Sequence, residues 1–422
     1  MLQTDIAPGI QVLAVPDDRF QTVQLTAHFS VPLTAQTVAE NALLPRLLAR
    51  CCASYPDSMQ FNRKLAMMYG AGVDGYSSVL GEMQTVQLSV SMLDDRFARN
   101  EPLFTEGLSL LCEMLFRPAL TDGLFRAADL AEEKRRLAES IRADRNDLRT
   151  LALQNARKTM FAGEPYGLDR QGSAEQVEAV TAEQLTQAWK RLLKTARLTV
   201  ILVGNGQPDA VTERLRTEFS AIDRAPIAPV LPTEHPVSAL RTVEEPADAK
   251  QSKLVMGFST TVREPQNTMP MRLAVMLYGG SATSRLFRNV REKQSLCYYC
   301  MARYDRNKGV MFVDSGVQAE NAEKAQREIL HQLAELQIGA FTDAELEEAR
   351  LGLLDQLGTV SDSPTFMDRW YAAQNEPYQT PEEAAAAAEA VTRADIVADL
   401  QTWKPELVYL LKGEKGEKED EA

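Results

Sequence analysis

The sequence predicts an α+β protein of two homologous halves, each a mainly antiparallel sheet with helices packed on one face. Three observations carry that prediction. At 422 residues the chain is well above the size at which one hydrophobic core divides, which favours two domains. The chain also repeats itself, weakly but in order. Within each half, strand-like runs come first and last, with longer amphipathic helical stretches between them.

The repeat has four landmarks. FRAADLAEEKRRLAE from Phe125 resembles FTDAELEEARLGLLD from Phe341, 216 residues later; Glu-Pro-Tyr at Glu164 returns at Glu376, 212 later. EAVTAEQL, which contains Thr181, returns as EAVTRADI, which contains Thr392, 211 later. Each half then closes on a β-rich run, LTVILVG from Leu198 and LVYLLKG from Leu407. Any single match could be chance, but four in one order at nearly constant offset argue for duplication.

Along the chain, TVQLTAHFSV (Thr22 to Val31) alternates Val23, Leu25, Ala27 and Phe29 with Gln24, Thr26, His28 and Ser30. That period of two predicts a half-buried strand. Apolar spacing predicts helices over Pro102 to Phe116, Ala127 to Arg142, Ala319 to Leu336 and Asp343 to Leu357. Between the halves, Asp223 to Ala239 holds four Pro, which remove the donors a helix or sheet interior needs. The predicted organisation is an N-terminal half over 1–222, a Pro-rich linker over 223–240, a C-terminal half over 241–411 and a disordered acidic tail over 412–422. Two halves on a long linker suggest a clamshell, with a ligand site between them.

Composition excludes several classes of function. Hydrophobic residues make up 45% and charged residues 25%, ordinary for a globular chain. No run approaches the roughly 18 apolar residues of a membrane helix, so no membrane partner is expected. The formal net charge of -13 argues against a nucleic-acid partner. The start MLQTDIAPGIQV has no basic or apolar leader pattern, and five Cys, an odd number, agree with reduced thiols; both point to a cytoplasmic location.

The segment GGSATSRLFRNVREKQSLCYY, Gly279 to Tyr299, together with EPYGLDRQGSAEQVEAVT from Glu164 and VGN at Val203, resembles the insulinase (pitrilysin) family of zinc metallopeptidases. The resemblance covers nearly the whole chain. ALLPRLL and the helix from Phe125 resemble a non-catalytic bacterial branch of that family. The implied fold is the family's duplicated, metallohydrolase-like clamshell.

The family's zinc motif is His-x-x-Glu-His on a helix, where two His at i and i+4 share one face and the Glu activates water. Aligning on Tyr55 and Pro56 places ALLPR, Ala42 to Arg46, at that position. Ala42 offers no lone pair, Pro45 no carboxylate, and Arg46 brings a positive charge where a cation belongs. The chain's three His are His28, His235 and His331; none lies four residues from another, and each reads as a surface or structural residue. No catalytic zinc is therefore expected in this chain.

The resemblance further implies a Glu ligand on a later helix, seven positions after another Glu. Glu132 and Glu139 have that spacing and share a face. They read equally well as a solvated acidic stripe. If the alignment holds, Arg46 pairs with Glu139 and its guanidinium replaces the metal.

In active members, an Arg and a Tyr seven positions later hold the substrate backbone, and Arg291 and Tyr298 match that pair. Both groups can donate to a peptide carbonyl that gains charge as water attacks. Read without the resemblance, they are a helix-end cation and a strand aromatic. Cys297-Tyr-Tyr-Cys300 also fits a C-x-x-C redox or zinc pattern. On a regular strand, however, residues three apart face opposite ways, so the thiols should not meet. Cys51 and Cys52 read as helical packing residues, and Gly279 and Gly280 as a point of close approach.

The expected function is a zinc-site-deficient subunit, inactive alone, that pairs with an insulinase-type chain carrying the intact motif and its zinc. It would bind a peptide or unfolded polypeptide through Arg291 and Tyr298. The alternative is a structural or peptide-binding homologue with no proteolytic role.

Overall fold

The computed structural model describes residues 1–99, 101–228, 235–263 and 267–413. The strands are β1 (Leu2–Ala7), β2 (Ile10–Val15), β3 (Thr22–Pro32), β4 (Gly72–Leu80), β5 (Met83–Leu93), the short β6 (Leu120–Thr121) and β7 (Leu124–Phe125), and β8 (Arg197–Val203). They continue as β9 (Arg241–Ala247), β10 (Ser252–Ser259), β11 (Cys297–Asp305), β12 (Val310–Val317) and β13 (Lys404–Gly413). In the first half the helices are α1 (Val38–Leu48), α2 (Ser58–Met67), α3 (Leu103–Phe116), α4 (Ala127–Asp144), α5 (Leu148–Met160), α6 (Ala174–Ala179), α7 (Ala182–Thr195) and α8 (Pro208–Phe219). In the second they are α9 (Met269–Val275), α10 (Ala322–Gln337), α11 (Asp343–Gly358), α12 (Pro364–Ala372), α13 (Pro381–Ala390) and α14 (Arg393–Leu400).

The four predicted helices are present, within about three residues at each end, and so is the strand at Thr22. Cys51 and Cys52 are not helical: α1 ends at Leu48, and Cys52 bridges to Tyr55 and Pro118. Both cysteines are buried, as packing residues are. Among the described residues no helix is long and apolar enough to cross a membrane.

The α+β class and the duplication are borne out by the sheet topology. One sheet runs β1-β2-β8-β3-β5-β4 and the other β11-β12-β10-β13-β9. Apart from β1 the two orders are the same. In each, one parallel pair, β2 with β8 or β13 with β9, continues into an antiparallel strand and then a hairpin. Capping boxes recur at matching places, with Thr181 opening α7 and Thr392 opening α14; in each the side chain satisfies an otherwise orphaned helix donor.

The compact units do not follow the boundaries read from the sequence. One comprises Met1–Arg142, Leu168–Leu231 and Val360–Asn375; the other comprises Ala143–Gly167, Pro232–Thr359 and Glu376–Ala422. Each unit therefore contains one helix from the opposite half, α12 in the first and α5 in the second. These two helices occupy equivalent places in the repeat. Helix α12 packs on β3 and β8, and α5 on the equivalent strands β10 and β13.

This exchange explains why β3 departs from a half-buried strand. Val23, Leu25, Ala27 and Phe29 enter the core shared with α1 and α3, as the alternation implies. The opposite face is buried too, with Gln24, Thr26 and His28 at 8%, 2% and 4% exposure. Its cover is α12, whose Asp368 carboxylate accepts from His28 Nε2–H at 3.0 Å. In the second unit α5 supplies Ala152, Ala156 and Met160 to a core with Val255, Leu407 and Tyr409. Helices of the same half cover one face of each sheet, and the exchanged helix covers part of the other.

The start of the Pro-rich segment is held by main-chain bonds, Ala225 N–H to Lys194 O and Ile227 N–H to Thr195 O. His235, further along, is buried between Glu164 at 2.7 Å and Glu406 at 3.1 Å. Lys412 and Gly413, expected to begin the tail, instead complete β13, and Lys412 pairs with Glu244 at 3.0 Å. Residues 229–234 of the linker and 414–422 of the tail lie outside the described residues.

Candidate functional site

Two regions hold the residues singled out from the sequence, one in each unit. In the first, α1 carries Ala42, Pro45 and Arg46. Ala42 and Pro45 are buried in the helix packing. The Pro45 carbonyl lies so close to β4 that a Cβ on Gly75 would come within 2.1 Å of it. Only glycine permits that approach.

Arg46 does not pair with Glu139. Its guanidinium lies 3.9 Å from Glu133, while Glu139 is 58% exposed and pairs with Arg135 on its own helix at 3.0 Å. The spacing of seven does put Glu132 and Glu139 on one face, but it is the first two turns of α4 that approach α1. The residue at the centre is one not singled out from the sequence, Arg50, one turn beyond Arg46. It bonds Asp129 at 3.0 Å, Glu132 at 2.6 Å and Glu133 at 3.2 Å. Arg136 adds contacts to Glu132 at 2.5 Å and Glu133 at 3.3 Å, and Arg126 reaches Asp129 at 2.6 Å.

The region is thus a network of guanidinium groups and carboxylates. Burial works against the charge of Arg50, but the bond to Glu132 and the fields of Asp129 and Glu133 raise its pKa overall. The Arg50 hydrogen bond in turn holds Glu132 below the usual carboxylate range. A zinc ion does not fit these residues. Ala42, Pro45 and Arg46 supply no imidazole or carboxylate, and the nearby carboxylates are bound by Arg side chains. Among the described residues, no three His, Cys, Asp or Glu side chains are grouped to hold a metal. The spacing of Arg46 and Arg50, i and i+4, was the available sequence signal for this network.

His28 and His235 are buried in carboxylate contacts, and His331 is exposed on α10. These placements are structural or on the surface.

In the second unit, Arg291 lies in a π-helical segment, Leu286–Lys293, that leads into β11. Its guanidinium stacks over the Phe287 ring at 4.5 Å and lies 3.4 Å from Glu292, with the side chain 38% exposed. An earlier π-helical segment, Met276–Gly280, contains the double glycine. A Cβ on Gly279 would meet the Ala302 backbone N at 2.9 Å, which confirms close approach of main chain at that point.

Tyr298 occupies a β-bulge. Cys297 pairs with Val317 and Tyr299 with Gly316, leaving Tyr298 as the extra residue on an edge strand. Tyr298 is 58% exposed. Gln318 Nε2 donates to the Tyr298 hydroxyl oxygen at 2.9 Å, so the phenol keeps its own proton to donate. Tyr299 differs: it lies beneath the Arg149 guanidinium at 4.3 Å, and burial, reinforced by Asp314, pushes its phenol up to about 12.

The bulge also overturns the expectation for the cysteines. Cys297 stands opposite Val317 and Cys300 opposite Ser315, two positions apart on one neighbouring strand, and hence on the same face. Cys297 is partly open to solvent, and Cys300 is buried.

The family model described as "Peptidase M16 inactive domain" matches residues 179–353. Over 417 residues the chain is 29% identical to the "Probable inactive metalloprotease YmfF" of Bacillus subtilis (strain 168), spanning 97% of each chain. In fold it is similar to a conserved protein from Enterococcus faecalis V583, with a TM-score of 0.90, 22% identity and 99% of each chain covered. It is also similar to a peptidase M16 inactive domain from Pseudomonas fluorescens, with a TM-score of 0.81, 17% identity and 99% of each chain covered.

Proposed function

The chain belongs to the M16 (insulinase-type) peptidase family as an inactive member, and from that premise we propose that it is a substrate-binding subunit. Its partner would be a family chain with an intact His-x-x-Glu-His motif and its zinc. The observation that carries this reading is Tyr298, exposed at a bulge with a phenolic proton still available to donate. Arg291, also partly exposed, supplies a fixed positive charge. Together they can donate to the carbonyl of a bound peptide and stabilise its oxyanion, and neither has to titrate.

The substrate is a peptide or unfolded polypeptide in extended form. Strand addition along the free edge of β11 would place its backbone beside Tyr298. Hydrolysis itself belongs to the partner chain. The free cysteines support a reducing compartment, the cytoplasm, as the place of action.

A second reading is a structural or peptide-binding homologue without a proteolytic role. The contacts Arg291 makes with Phe287 and Glu292 favour it, because they could be its whole purpose. The test is to reconstitute the chain with the intact-motif family chain from the same genome and measure peptide cleavage. The proposal expects Arg291→Ala and Tyr298→Phe to lower kcat/KM by about tenfold to a thousandfold without loss of assembly. Full activity in both variants would leave only the second reading.

A further inference from the structure

The Cys297 and Cys300 thiols flank the bulge on β11 and share one face because Tyr298 is the extra residue. Two strand positions on one face are about 7 Å apart, near the upper limit of Cα separation for a disulfide. Access to the pair is asymmetric. Cys300 is 1% exposed, whereas Cys297 is partly open to solvent. Ser315, whose hydroxyl donates to the Tyr299 carbonyl at 2.8 Å, stands directly opposite Cys300 on β12. The other three cysteines, Cys51, Cys52 and Cys112, are buried.

We propose that Cys297 and Cys300 form a reversible dithiol–disulfide site that is oxidised by a hydroperoxide and staples the bulge carrying Tyr298. Cys297 acts first. The neighbouring Cys300 thiol favours the Cys297 thiolate, outweighing burial, and Ser315 and the Arg291 charge add to the effect. The thiolate sulfur attacks the outer peroxide oxygen and the O–O bond breaks. The departing alkoxide takes up the proton that Cys297 has lost and leaves as an alcohol, or as water from hydrogen peroxide. The Cys300 sulfur then attacks the Cys297 sulfenic acid. An S–S bond forms, the S–O bond breaks, and hydroxide leaves with the Cys300 proton as water. Two thiols are oxidised by two electrons and one peroxide is reduced. A disulfide closed at the limit of its reach is strained, and a small dithiol reopens it readily.

The site stands independently of the proposed peptidase role; only the consequence for Tyr298 as a substrate donor rests on that role. To test it, the reduced full chain is treated with stoichiometric hydrogen peroxide at neutral pH, quenched with acid, unfolded and alkylated, and mapped by mass spectrometry. The expected result is that the tryptic peptide Gln294 to Arg303, which contains both cysteines, loses two hydrogen atoms and regains them with dithiothreitol. Cys300→Ser should instead trap a dimedone-reactive sulfenic acid on Cys297 before Cys51, Cys52 or Cys112 react. The proposal is overturned if that peptide keeps two alkylatable thiols while another cysteine oxidises. It is equally overturned if the peptide passes to sulfinic or sulfonic acid with no disulfide form.

Discussion

Arg50 holds three carboxylates of α4, so removing it deprives more than one group of a partner at once. Glu133 is 5% exposed, and Asp129 and Glu132 would then repel it at short range. Arg50→Ala should therefore lower stability by about 2 kcal/mol, less than the loss of a fully buried pair because Arg50 is partly solvated. Chemical denaturation would register this as a lower midpoint at unchanged slope. Arg135→Ala, which frees exposed Glu139, should change the midpoint little. Glu164 offers a test through pH. Burial disfavours its charge, but Lys308 at 2.7 Å and His235 more than offset this and hold the carboxyl below its usual range. A depressed carboxylate contributes stability in full above its unfolded pKa of about 4.3 and loses it as pH falls through the folded value. The stability gap between the wild type and Glu164→Gln should thus be widest near neutrality and close progressively below about pH 4. Denaturation midpoints over that range would check it, and a gap that widened on acidification would contradict the assignment.

Among the elements, the approach of α1 to β4 has least room for change. Gly75→Ala would drive a methyl group into the Pro45 main chain, and neither strand nor helix can yield by moving one flexible side chain. The expected cost is about 2–3 kcal/mol, again measurable by denaturation. What could be read of these elements from the sequence follows the range of the forces involved. Period and amphipathicity are local, so the four long helices and β3 were legible. The burial of His28 was not, because its cover comes from Asp368, 340 residues away. That Ala42, Pro45 and Arg46 offer a metal no imidazole or carboxylate could be read from residue type alone. The partner of Arg46 could not: a spacing of seven defines a face of α4 but not which turn meets α1. The facing of Cys297 and Cys300 depended on a bulge that no glycine or turn residue announces in CYYC.

At the scale of the whole chain, the exchange of α5 and α12 governs what can be separated. A fragment ending at 228 would lack α12 and uncover the polar face of β3; one beginning at 235 would lack α5 and the apolar side chains it supplies. Each fragment alone should be readily proteolysed, and co-expression should restore resistance to that of the intact chain. Fragments that resist protease separately would show that the exchanged helices are dispensable. The same exchange also constrains synthesis. The first sheet cannot receive its covering helix until residues 364–372 have left the ribosome, and by then most of the second sheet has been made. For this chain, the N-terminal half cannot fold in the usual domain-by-domain order; it must wait with one face of its sheet exposed until α12 has been made.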